Sequence, residues 1–99
     1  MNITINAVHF TPTQNLTSFV EGKVKKLENM SDEIIGAEVY LKLEKTQNLE
    51  NKIAEIRLDL PGNDAFAKKR AKSFEESTDN AIDALKKQIT KKKEKKVRV

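Results

Sequence analysis

Cysteine is absent from this chain of 99 residues, which removes a disulfide framework, a thiol nucleophile and a cysteine zinc cluster together and suits a reducing compartment. Histidine occurs once, as His9, at the end of what reads as the first strand. With no second histidine and no cysteine to complete a triad or a ligand set, we expect no catalytic residue, no metal and no cofactor. The three glycines stand alone at 22, 36 and 62, so no glycine-rich loop exists to cradle a phosphate. Five aromatics are present, Phe10, Phe19, Tyr40, Phe66 and Phe74, and two of them fall on helix stripes, which leaves little for a base-stacking platform. No apolar run is long enough to span a bilayer, and the N-terminus lacks the basic-then-apolar pattern of a secretory signal. We expect a cytoplasmic protein that takes no membrane and no small-molecule substrate.

Charge is plentiful and unevenly placed. The net +4 hides a gradient: residues 1–64 carry 7 Lys/Arg against 10 Asp/Glu, residues 65–83 carry 4 of each, and residues 84–99 carry 8 against 1. A cationic end of this kind is either a solvated helix terminus or a probe for a polyanion, of which nucleic acid is the commonest in the cytosol. With few aromatics free, the mode open to it is phosphate contact with a folded RNA surface. Asp79 and Asp83 resemble a carboxylate pair, but both lie off the apolar stripe of their helix and Asp83 is placed to pair with Lys87 at i,i+4.

Periodicity supplies the elements. Asn2 to Ala7 alternates apolar and polar residues as a first strand. Thr11-Pro12-Thr13-Gln14 predicts a helix start with Thr11 as N-cap and Pro12 at the first helical position. Leu16, Phe19, Val20, Val24 and Leu27 form that helix's stripe, and Asn29 to Asp32 ends it. Lys23 lies about 40° from the stripe centre, so its stem must run along apolar surface. Residues 37–44 and 54–60 read as two amphipathic strands in a hairpin, Pro61-Gly62-Asn63-Asp64 as a turn, and Ala65 to Lys72 as a basic fourth strand. A last helix from Ser73 to about Lys96 opens on a Ser73/Glu76 capping box. Its stripe of Phe74, Thr78, Ala81, Ile82, Leu85 and Ile89 stops before a lysine run. The order β-α-β-β-β-α, with a right-handed crossover between parallel first strands, predicts an α+β two-layer sandwich: a four-stranded sheet with both helices on one face.

Four stretches in this order carry a resemblance to a known family. They are the opening Met-Asn-Ile-Thr-Ile, Phe19 to Glu28, Val39 to Lys45, and Asp79 to Ile89 with the lysines after it. Together they resemble the ribosome hibernation promoting factors, also called ribosome-associated inhibitors or sigma-54 modulation proteins. The resemblance implies the same fold and binding to the small ribosomal subunit and its 16S rRNA between head and body, where mRNA and tRNA sit, so that translation is silenced under starvation or in stationary phase. By the same resemblance the RNA-facing residues are Lys23 and Lys26 on the first helix and Lys87 and Lys91 on the second, with Lys86, Lys92, Lys93 and Lys95 as neighbours. It implies no enzyme. The chain departs from the family at Phe74-Glu75-Glu76-Ser77 and at the basic fourth strand (Lys68, Lys69, Arg70, Lys72). We expect residues 1–96 to form a single ribosome-binding domain and 97–99 a short tail, in a short form without a dimerisation domain and monomeric when free. The alternative is a protein-binding regulator of transcription with an acidic partner.

Overall fold

The computed structural model describes the backbone of residues 1–97 and the side chains of residues 1–92. Its elements are β1 (Asn2–Val8), α1 (Gln14–Lys25), β2 (Gly36–Leu43), β3 (Lys52–Asp59), β4 (Ala65–Ala71) and α2 (Phe74–Val97), with a 3-10 turn at Lys26–Asn29. The sheet order is β1-β2-β3-β4; β1 runs parallel to β2, and the other two pairings are antiparallel. Val20 and Val24 of α1, Ala81 and Leu85 of α2, and Val39, Leu41, Ile56 and Leu58 of the sheet share one core cluster, so both helices lie on one face, as the single apolar face of β2 and β3 requires.

Alternation places Ala54, Ile56 and Leu58 inward and Glu55, Arg57 and Asp59 outward along β3. Ile53 breaks the rule: it is buried on the open face, between its cross-strand partners Lys42 and Arg70. The sheet edge at β4 is closed by a side chain. Gln88 of α2 accepts from the Phe66 N–H at 3.1 Å and donates to the Phe66 carbonyl at 2.6 Å, standing where the next strand's peptide group would be. Beyond β3, Gly62 takes a positive φ of 91° inside the predicted turn, a conformation that glycine adopts without steric cost.

Three local expectations are corrected. The N-cap of α1 is Thr13, not Thr11: Thr13 is extended (φ −75°, ψ 158°) and its hydroxyl accepts from Leu16 N–H at 3.1 Å, so Pro12 precedes the helix. Two threonines offered the same chemistry. The chain leaves β1 through His9 in the left-handed region (φ 71°) and lays Phe10 flat on Phe74, centroids 4.5 Å apart, before the helix starts at Gln14. The α-helix proper then ends at Lys25, the last turn before Asn29 tightening to 3-10, a common termination. Finally, Val97 belongs to α2, while residues 98 and 99 of the expected tail lie outside the described residues.

Candidate nucleic-acid interface

Ser73 starts α2 as expected, its hydroxyl accepting from Glu76 N–H at 3.1 Å, and the six stripe residues from Phe74 to Ile89 are all buried. With that face fixed to the core, about 100° of rotation per residue turns Lys87 and Lys91 to solvent as an i,i+4 pair. Both are exposed, as are Lys86 and Lys26. Among the described residues none of these four ammonium groups has a carboxylate within ion-pair distance. Asp83 therefore does not hold Lys87, contrary to the i,i+4 expectation. The exposed rotamers of both residues are unconstrained, and such pairs stabilise by only a few tenths of a kcal/mol.

Lys23 is built differently. It is half-buried, with its ammonium 3.1 Å from Asp79 Oδ1 and 5.5 Å from the Phe19 ring centroid. The stem does run along apolar surface, and the charge joins α1 to α2. The pair is a third to half exposed, which limits it to about 0–1 kcal/mol. Sequence spacing gave no sign of it, because the partners are far apart along the chain and meet only through helix packing. Lys86, seven residues beyond Asp79, returns to nearly the same side of α2, whereas Lys87 and Lys91 occupy another.

Lys92 also departs from the reading of a stripe that stops at Ile89. Seven residues after Leu85, it continues the inward line, is half-buried, and its ammonium hydrogen-bonds the Asn63 carbonyl in the β3–β4 turn. The side chains of Lys93 and Lys95 lie outside the described residues.

On the opposite face of the sheet three cations are already engaged. Lys42 and Lys68 flank Glu55 at 2.9 and 3.6 Å, and Arg70 meets Glu44 at 2.7 Å. Burial alone would raise the Glu55 carboxyl, but the hydrogen bond and charge of Lys42, joined by Lys68, outweigh it and hold it below the usual carboxylate value. Among the described residues the unpaired Lys26, Lys86, Lys87 and Lys91 thus lie on the helical side of the molecule. Among the described residues no group of His, Cys, Asp and Glu is arranged to hold a metal, and no helix is long and apolar enough to cross a membrane.

A mixed four-stranded sheet backed by two helices, the second running on into lysines, defines a class of small basic β-α-β-β-β-α sandwich proteins. Within it, the chain belongs to the family described as Sigma 54 modulation protein / S30EA ribosomal protein, which matches residues 3–97. A ribosome hibernation promoting factor of Klebsiella oxytoca is 34% identical over 95 residues, covering 96% of this chain and 94% of the relative. One of Pseudomonas putida is 31% identical over 95 residues, covering 96% and 89%. Among solved structures, the N-terminal domain of Thermus thermophilus Protein Y aligns with a TM-score of 0.77 at 27% identity, over 92% of this chain and 98% of that one. A ribosomal subunit interface protein of Coxiella burnetii shares the fold, with a TM-score of 0.82 at 22% identity over 94% and 98%.

Proposed function

We propose that the protein is a cytoplasmic ribosome hibernation factor: it binds the small ribosomal subunit at the decoding region, contacts 16S rRNA phosphates through its helical lysines, and silences translation in starved or stationary cells by occupying the mRNA and tRNA sites. The observation that carries this reading is an exposed Lys87–Lys91 pair, without a carboxylate partner among the described residues, on the helix of a chain whose curated relatives are named ribosome hibernation promoting factors. Phosphate contact needs only mobile point charges, which lysine supplies. Occupancy calls for no catalysis, so a cell-free translation reaction should be inhibited in stoichiometric proportion to ribosomes and recover when initiation components displace the protein. Inhibition at a small fraction of the ribosome concentration would point instead to an enzyme. Sedimentation of stationary-phase extracts tests the partner. Comigration with small subunits is the expected result; recovery from soluble fractions alone would overturn the reading in favour of an acidic protein partner.

A further inference from the structure

Between the 3-10 turn after α1, the β3–β4 turn and the far half of α2 lies a cavity of about 520 Å³, within the range of about 300–1,000 Å³ usual for small-molecule sites. Met30, Leu60 and Ile89 line it, three apolar side chains from three separate segments; Leu60 and Ile89 belong to the core cluster and Met30 packs against it. Three charged residues join them, Asp32 and Glu33 from the α1–β2 connection and Lys92 from α2, and Glu33 has a partner of its own. Asp32, from the α1–β2 connection, is exposed and has no ion-pair partner among the described residues. Lys92, from α2, gives its ammonium to the Asn63 carbonyl, a neutral acceptor, and among the described residues has no carboxylate within ion-pair distance.

A ligand matched to these features has an apolar body, adjacent hydrogen-bond donors on one edge, and an anion elsewhere. Guanine nucleotides have all three. The base is flat, its N1–H and N2–H₂ lie side by side to donate to one carboxylate, and its phosphate suits an ammonium. Adenine presents an amino donor beside an acceptor nitrogen, which a carboxylate repels.

We infer that this cavity is a guanine nucleotide site. The base rests on Met30, Leu60 and Ile89, and the thioether of Met30 is adaptable to a ring face. Asp32 accepts from its N1 and N2 edge, and Lys92 exchanges the Asn63 carbonyl for a phosphate oxygen. The same chemistry is offered by a free nucleotide and by an unpaired guanosine in RNA. The inference does not rest on the ribosomal reading.

The test is an amide-shift titration of the full ¹⁵N-labelled chain with guanosine 5′-monophosphate, adenosine 5′-monophosphate and inorganic phosphate. RNA hairpins bearing a single bulged guanosine or adenosine are titrated in parallel. Saturable shifts at residues 29–33, 60–63 and 89–92 are expected with the guanine probes, and binding about tenfold weaker with adenine. Asp32→Asn should erase that preference, and Lys92→Gln should weaken binding while keeping it; unchanged amide positions elsewhere show that each variant is folded. Response to the bulged hairpin alone assigns the source to RNA, and response to the free nucleotide extends it to the mononucleotide. No saturable shift with either guanine probe, equal shifts with inorganic phosphate, or a preference that survives Asp32→Asn would overturn the site. Because no ribosome enters these titrations, any of those results leaves the proposed function standing.

Discussion

Thr78 is fully buried, and its hydroxyl has no hydrogen-bond partner among the described residues. A buried unpaired hydroxyl costs on the order of 1–3 kcal/mol, and valine keeps the shape without the polar atom. Thr78→Val should therefore raise the melting temperature, by an amount equivalent to about 1 kcal/mol; a lower value would mean that the hydroxyl is satisfied. Lys87 and Lys91 stand at the other extreme, exposed and serving no core contact. Replacing both by glutamine should leave thermal stability within about 0.5 kcal/mol. It should also weaken binding to purified small subunits and make the salt dependence shallower by about one counterion per lost phosphate contact. Wild-type affinity and salt slope would reduce these lysines to a solvated face. Lys23→Gln should combine both effects, since its stem and its contacts with Asp79 and Phe19 are lost with the charge. Glu55 sets an acid-side dependence. Its carboxyl is depressed in the folded protein, so its contribution to stability is present above the unfolded-state value and is lost as pH falls through the folded one. Urea unfolding from about pH 6 to pH 2 should show a shallower acid decline for Glu55→Gln than for the wild type.

At the scale of elements, periodicity was informative wherever one face meets the core. β2 alternates cleanly from Ala37 to Leu41 and β3 from Ala54 to Asp59, and the α2 stripe names six residues that are all buried. Sequence was a poorer guide where two local solutions were nearly equal, as with Thr11 and Thr13. It was silent where the decisive contact is distant: Phe10 on Phe74, Lys23 on Asp79, and Lys92 on Asn63 each join separate elements. For the candidate site, the lysine positions could be named in advance, but which of them are tied and which are free depends on those packed neighbours. Gln88 belongs to the same group, about 60° off the stripe centre and indistinguishable in sequence from a solvent residue. Gln88→Ala should remove both hydrogen bonds to Phe66 and leave the β4 edge open. Hydrogen exchange at the Phe66 amide should quicken, while amides in the middle of β3 keep wild-type protection; an unchanged Phe66 rate would show that the clamp contributes nothing to edge closure.

The whole molecule separates its cations into two populations. On the open sheet face Lys42, Lys68 and Arg70 are occupied with carboxylates, whereas among the described residues Lys26, Lys86, Lys87 and Lys91 of the helical side are not, Lys23 alone of the candidate lysines there being paired with Asp79. Glutamine at both Lys68 and Arg70 should accordingly leave small-subunit affinity within about twofold, against a clear loss for the Lys87/Lys91 pair in the same salt series; comparable losses would bring the sheet face into the interface. The strand order has a consequence of another kind. Because β1-β2-β3-β4 follows the chain, every strand pairs with one adjacent to it in sequence, and the closures linking β2, β3 and β4 are short, which favours rapid folding. During synthesis each strand meets its partner on emerging, yet the inner faces of β3 and β4 stay uncovered until α2, their chief cover, has left the ribosome. The lysine-rich half of α2 is thus made after all four strands, and the sheet is sealed only as that helix emerges.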